Sequence, residues 1–571
     1  MRVFFDALKQ AQPQNSSSST QRTWVYVPYD QLNKDFGPLC REAPHSLGIV
    51  LVESPWKAAR RPYHKQKLAF ILANQRHFAI EQAKRGVEVS YWVAEGSYSE
   101  ALARAVEQHG PLQLMEPAER ELRHDIAPLV RKGSLKLLHH EGWLTRPEDF
   151  TASQKKGPPW RMDSFYRHVR KRTGILMDDA GKPVGGKFSY DAENRKFWTG
   201  EPEAAVPPRF DPDPITDEVV ELIEERYAHH PGTLDPSTLP RTRNHAEEVW
   251  AWALRACLPM FGPFEDAMST ASTNIFHTRI SALMNVHRLL PARIVQDVVN
   301  LDIPLASQEG FLRQVIGWRE FMRHVHSATD GFRNLPGQES VPVASAAGDG
   351  GYGAWAGKPW RRDHNEDAPD GGSTRSALGS DRPVPPAYWG RPSGLRCLDS
   401  VVKDVWDEAY SHHITRLMVL GNLAQLLEVS SRDLTDWFWV AYIDAFDWVV
   451  EPNVMGMGTY GLGGLFTTKP YVSGGAYIDK MSDYCGKCAL KKVCPVTHLY
   501  WAFMTRHRPQ LDGNYRLRMI MASENKRSPE KKRVDSKVFD YVSSTLAEGK
   551  PVQAERLKQL TRQEQSHKTL S

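Results

Sequence analysis

The period of the apolar pattern changes once along this chain, and that change constrains the fold more than any other feature. Up to about residue 150, short apolar runs alternate with helical stretches. Thr23-Trp24-Val25-Tyr26-Val27, Ser46 to Glu53 and Val87 to Val93 read as strands, with a shorter one near Leu112 to Glu116. Between them, Lys65–Lys84, closed by Gly86, and Tyr98–His109 carry helical spacing. Strands alternating with helices predict a doubly wound parallel sheet. Beyond about residue 240 the strand signal is lost, and 246–258, 276–289, 308–324, 400–427 and 434–446 all repeat at 3.6 residues. The expected fold class is therefore an α/β N-terminal doubly wound parallel-sheet domain followed by an all-α C-terminal domain.

Composition places the boundaries. Residues 1–22 are rich in Gln, Ser and Asn and read as a flexible extension. The α/β domain spans 23–150, and a Pro-, Gly- and base-rich connector with one helix at Arg161 to Thr173 spans 151–240. The helical domain runs over 241–525 and is interrupted at 336–386 by a Gly-, Pro- and Asp-loaded insertion. Residues 526–571 open with Lys526-Arg527-Ser528-Pro529-Glu530-Lys531-Lys532-Arg533 and read as a solvated, charged tail.

With 571 residues and 41% apolar content the chain can bury large cores. No apolar run approaches the roughly 20 residues of a membrane helix, and no signal-peptide core opens the chain, so the expectation is a cytoplasmic protein without a membrane partner. A net charge of +5 permits a polyanionic partner but does not argue for one.

Half of the six cysteines stand within ten residues, as Cys485-Gly486-Lys487-Cys488 and then Cys494-Pro495. Three thiols cannot all pair off, so this knot reads as a metal site, and proline straight after the third ligand favours an iron–sulfur cluster over zinc. Cys397 is the nearest candidate for a fourth ligand; Cys40 and Cys257 lie far upstream. Structural zinc with His498 as fourth ligand is the alternative.

Other clusters are weaker alone. His277-Thr278-Arg279-Ile280-Ser281 offers two hydroxyls and a guanidinium near a helix start, suited to phosphate. His412-His413 falls mid-helix by pattern, and 436–448 is dense in aromatics and acids, a stretch that packs as core or serves as stepping stones for electrons. Met455-Gly456-Met457-Gly458-Thr459-Tyr460-Gly461 reads as a backbone-close loop and lacks a dinucleotide-binding context.

Taken together, Tyr63-His64-Lys65-Gln66-Lys67-Leu68, Arg161-Met162-Asp163-Ser164-Phe165-Tyr166, Gly394-Leu395-Arg396-Cys397, Ser411-His412-His413, Pro452-Asn453-Val454-Met455-Gly456-Met457 and Thr468-Lys469-Pro470-Tyr471 resemble the iron–sulfur bacterial branch of the photolyase/cryptochrome superfamily over residues 23–520. The resemblance implies FAD in the helical domain, a 4Fe-4S cluster on Cys397, Cys485, Cys488 and Cys494, and the antenna 6,7-dimethyl-8-ribityllumazine in the N-terminal domain. It places the FAD phosphates at Thr278, Arg279 and Ser281, its ring along Gln314, Trp318 and Arg319, and the salt-bridged pair beside that ring at Arg416 and Asp444. Asp30, Gln31 and Glu53 become candidates for the antenna, at the carboxyl ends of strands. Trp389 and Trp437 match electron-relay tryptophans, Phe438 stands where tyrosine is expected, and the position opposite the flavin N5 falls at Val450 beside Glu451.

The implied activity is light-driven reversal of pyrimidine (6-4) photoproducts in UV-damaged DNA by a monomeric enzyme. His413 would be the general acid, near its free pKa of about 6.5, with His412 orienting it and Tyr471 lining the lesion pocket. The alternatives are a cryptochrome-like blue-light photoreceptor and a light-independent iron–sulfur DNA-binding module.

Overall fold

In the computed structural model, residues 2–13, 22–59, 61–336 and 376–562 are described. The N-terminal sheet has five parallel strands, β1 Thr23–Tyr26, β2 Leu47–Glu53, β3 Glu88–Val93, β4 Leu112–Met115 and β5 Leu135–Leu138, in the order β3-β2-β1-β4-β5. β2 is buried along its whole length, as a central parallel strand covered on both faces must be. Leu47, Ile49 and Leu51 face one core and Val50 and Val52 the other. Chain order reverses between β1 and β4, which opens the crevice where such sheets bind ligands. The helices Lys65–Lys84 and Tyr98–His109 have the bounds expected, whereas β5 and the helix Arg120–Arg131 add to what the pattern predicts.

Both supposed tails fold. Residues Arg2–Ala11 form a helix that buries Phe4 and Leu8, with Glu218 accepting from the backbone N–H groups of Val3 and Phe4. The expected flexible extension at 1–22 is corrected to that extent; its Ser-rich part lies outside the described residues. Helix Pro529–Ala547 buries Val534, Val538, Phe539, Val542 and Leu546 against Val496–Arg506, and Ala554–Arg562 follows it. The charged run is helical because its apolar residues recur every three to four positions. Two of its bases are matched by buried acids: Asp535 takes Arg527, together with His498, and Glu524 takes Lys532.

The connector also contributes a helix, Pro214–Arg226, capped by Asp213 and packed on Lys65–Lys84. The helical domain follows the expected order with three breaks, one of them in the predicted helix over 434–446, which ends at Ala441 where Tyr442 turns extended. Only Ser281–Asn285 of the predicted helix over 276–289 forms, because Ile275, Arg279 and His287 take positive φ. The predicted helix over 400–427 stops at Glu408, where Ala409 turns left-handed, and restarts at His413. Most of the insertion at 336–386 lies outside the described residues, but its end is packed, with Leu378 buried and Ala377 donating to the Gly461 carbonyl.

Candidate flavin pocket and cysteine cluster

Three wide helical turns present the pocket. Arg313–Arg319, Arg416–Gly421 and Glu451–Gly458 are π-helical, each inserting residues that rotate side chains off the regular spacing, a device common at functional sites. The first supplies Gln314, Trp318 and Arg319, the second Arg416 and the third Asn453. Gly456 lets the last turn approach its neighbour closely, since a Cβ there would lie 2.1 Å from the Phe466 ring.

All eight residues expected around a flavin line one cavity of about 260 Å³: Thr278, Arg279, Ser281, Gln314, Trp318, Arg319, Arg416 and Asp444. It continues into a cleft of about 660 Å³ that shares Arg279, Ser281 and Tyr410. Arg416 meets Asp444 bidentately, Nη1 to Oδ1 and Nη2 to Oδ2 at 3.0 Å each. The Ser281 hydroxyl donates to Asp444 Oδ2 at 2.6 Å, and Arg416 Nε donates to the Ser411 carbonyl. Burial alone would raise the Asp444 carboxyl; the Arg416 charge and the bonds from Arg416 and Ser281 outweigh it and hold it below its ordinary value.

Arg279 has φ +54°, strained for a residue with a side chain, and its guanidinium pairs with Glu408 at 2.6 Å over the Tyr410 ring. Arg319 lies against Trp143 and Trp448, and burial pulls it down to about 10 against the pull of Glu320. Glu408, Tyr410, Trp143 and Trp448 carry no sequence motif.

His412 caps the short helix that His413 begins, so the pair sits at a chain break and not mid-helix as expected. His412 stacks on His277, with ring centroids 4.3 Å apart and planes 7° apart, and His413 meets His277 edge-on at 5.2 Å. A cluster of three imidazoles results, completed by His277, which the sequence singles out only for its neighbours. Burial and then the mutual charges push His277 and His412 far below the usual imidazole range. The expectation that His413 rests near 6.5 is corrected: the surrounding protein, then Arg313 and Arg416, lower it to about 4, although the residue is exposed. Tyr471 does not line the cavity; it is half-buried, and Asp191 and Arg516 act on it.

The expected N5 neighbour is also corrected. Val450 and Glu451 both face the interior, Glu451 taking Arg333, Arg432 and His326, while Val449 and Asn453, one turn apart, line the cavity.

Trp389 and Trp437 do not touch directly. Trp406 stands between them, stacked on Trp389 at 5.4 Å and edge-on to Trp437 at 5.9 Å. Trp437 then meets Tyr442 at 6.1 Å, and Tyr442 lies 4.1 Å under the Arg416 guanidinium. Phe438 stacks on Tyr442 beside this path.

Cys397, Cys485, Cys488 and Cys494 line one cavity of about 210 Å³. Among the described residues no three of these sulfurs lie within 4.8 Å of one another. Tetrahedral zinc, with Zn–S near 2.3 Å, would bring thiolates closer than that, to about 3.8 Å. His498 is engaged by Asp535 at 2.8 Å and stands outside the cavity, which removes it as a fourth ligand. Burial, then the Asp479 charge and the neighbouring thiols, push the Cys485 thiol up to about 11.

The antenna residues are not brought together. Glu53 is held bidentately by Arg76 and accepts from Tyr91, and the Gln31 amide donates to the Met115 and Glu116 carbonyls. Asp30 is fully buried with one free oxygen, and burial raises it to about 7. The cavity at this edge of the sheet holds about 70 Å³, and neither Asp30 nor Gln31 lines it. That is room for about five waters, so these residues do not form a cradle for a bicyclic lumazine.

The molecule thus joins a parallel α/β sheet to a helical domain that carries an Arg–Asp braced cavity and a four-cysteine site. The sequence is 30% identical, over 86% of this chain and 93% of the other, to a (6-4) photolyase of Agrobacterium fabrum. Residues 25–239 match the family model for deoxyribodipyrimidine photo-lyase-related proteins. The fold matches the crystal structure of a bacterial class III photolyase from Agrobacterium tumefaciens with a TM-score of 0.50 at 13% identity, covering 94% of this chain and all of the other. A shorter match, 38% identical over 12% of this chain and 54% of the other, is to an uncharacterized protein of Acanthamoeba polyphaga mimivirus. The chain belongs to the photolyase/cryptochrome superfamily, in its prokaryotic (6-4) photolyase-like branch. Among the described residues no helix is long and apolar enough to cross a membrane.

Proposed function

We propose that this protein repairs pyrimidine (6-4) photoproducts in DNA by light-driven electron transfer, with FAD in the Arg416–Asp444 cavity and a 4Fe-4S cluster on Cys397, Cys485, Cys488 and Cys494. The observation that carries the reading is the Ser281-braced Arg416–Asp444 pair standing in the same cavity as His412 and His413. FAD, when bound and reduced, supplies the electron that light releases.

The residues fit that cofactor. Among the described residues, buried His277 Nε2, His412 Nδ1 and Arg319 Nε lack protein partners, and Arg279 stands where the two cavities join, so a diphosphate there meets a cation. Arg279 would exchange Glu408 for phosphate oxygens. Arg416 keeps its charge beside the ring because Asp444 stays ionised, which favours an anionic reduced cofactor. A base turned out of the duplex reaches His413 at the mouth, and the cost of unstacking is lowest for a damaged base. His413 is neutral at pH 7 in the free pocket, so it takes up its proton when phosphate oxygens of the bound strand add negative charge nearby, and then gives it to the hydroxyl that must transfer.

Purified protein tests the reading first through its flavin: absorbance that bleaches under blue light with a reductant supports it, and a brown protein holding no flavin contradicts it. Restoration of a (6-4) photoproduct in an oligonucleotide separates repair from light sensing.

A further inference from the structure

Beyond the cluster helix the chain turns through two short helices, Arg508–Leu511 and Arg518–Asn525, and presents two large apolar side chains to solvent. Tyr515 is 69% exposed and Met519 83%, whereas Leu511, Leu517 and Met521 beneath them are buried. The tip is therefore anchored and its apolar ends are held out. Burying such side chains yields about 1.5–3 kcal/mol each, so leaving both in water is a cost that a partner can recover.

Arginines surround them. Arg516 and Arg518 are exposed, with no acidic partner among the described residues, and Arg516 Nε donates to the Tyr515 hydroxyl at 2.8 Å. The Asn514 amide ties the tip to the Thr468 carbonyl, in the segment that leads to Tyr471. Arg516 and Asp191 both act on Tyr471, and Asp191 pairs with Arg313 at 3.3 Å.

Two apolar ends are far too little surface for a stable protein interface of about 800 Å² per partner. Apolar ends between unpaired arginines suit duplex DNA, where guanidinium groups meet phosphates and Met or an aromatic ring enters between base steps. We propose that Tyr515 and Met519 form a wedge that enters duplex DNA beside the pocket and fills the gap left by the turned-out lesion, with Arg516 and Arg518 on the flanking phosphates. The inference rests on the repair reading and adds the element that holds the duplex open.

The test compares the flavin-loaded protein with a Tyr515→Ala/Met519→Ala variant on one (6-4) lesion, placed either in a duplex or in a single strand, at fixed salt. The wedge requires duplex affinity to fall by about tenfold, within the range of stacking contacts, with single-strand affinity unchanged. Unchanged duplex affinity, or equal loss on both substrates, overturns it. A second variant, Arg516→Ala/Arg518→Ala, is expected to weaken damaged and undamaged duplex alike and to reduce the slope of log affinity against log salt by about 2; an unaltered slope overturns the phosphate contacts. Discrimination between damaged and undamaged duplex by the unaltered protein is read in the same titrations. Its absence sinks the repair reading together with the wedge, whereas intact discrimination with an inert wedge variant sinks the wedge alone.

Discussion

Trp406 and Trp437 meet edge to face at 5.9 Å, and both indole N–H groups donate to one acceptor, the Tyr388 carbonyl, at 2.9 and 3.0 Å. One carbonyl thus fixes two rings of a path that runs from half-buried Trp389 to Tyr442 under Arg416. The path does not depend on the missing tyrosine at Phe438. Trp406→Phe and Trp437→Phe are expected to slow light-driven flavin reduction severalfold, with flavin content and lesion binding in the dark unchanged. Stopped illumination followed by absorbance measures this; unchanged rates in both variants would remove the path.

Asp444 is nearly fully buried and holds Arg416 in place, so removing its charge leaves a guanidinium without its partner. Asp444→Asn is expected to cost about 3–5 kcal/mol and to lower flavin occupancy. Thermal unfolding and the flavin-to-protein absorbance ratio read the two effects separately.

The cysteine site separates iron from zinc through a residue outside it. Cys397→Ala is expected to abolish bound iron, while His498→Ala, which breaks only the pair with Asp535, keeps iron at wild-type stoichiometry. Metal analysis of both variants decides this, and zinc lost with His498 would contradict the cluster.

Several histidines are buried in neutral form. Burial lowers His64 to about 4 against the pull of the Trp406 carbonyl, burial and Arg319 lower His287 to about 3, and burial and Arg323 lower His324 to about 2. Between those values and the unfolded value near 6.5, the unfolded chain binds more protons than the native one, so stability rises with pH through that window. Full stability is present above about pH 6.5 and is lost as pH falls, at up to about 1.4 kcal/mol per pH unit for each group. Denaturant midpoints between pH 7 and pH 5 test this, with His287→Phe flattening the slope.

What the sequence reveals about this molecule depends on the range of the interaction concerned. The helix Lys65–Lys84 is legible because its caps and period are local, and the pocket residues are legible because they stand in short strings. The break at Ala409 and the π-helical turns are not, since tertiary packing imposes them on helical-looking sequence. The roles of Trp406 and His277 are hidden for a related reason: they come from contacts with residues far along the chain. The charge of 526–533 hides a helix whose buried face begins only at Val534. Glu53 misleads because its carboxylate, at a strand end, serves Arg76.

His413 bears most directly on the central claim. Reduced protein and a His413→Ala variant are illuminated with oligonucleotides carrying either a (6-4) photoproduct or a cyclobutane dimer, and restored bases are counted. The account predicts that the unaltered protein restores only the (6-4) substrate and that the variant binds it without restoring it. Repair of neither lesion, or undiminished repair by the variant, would contradict it.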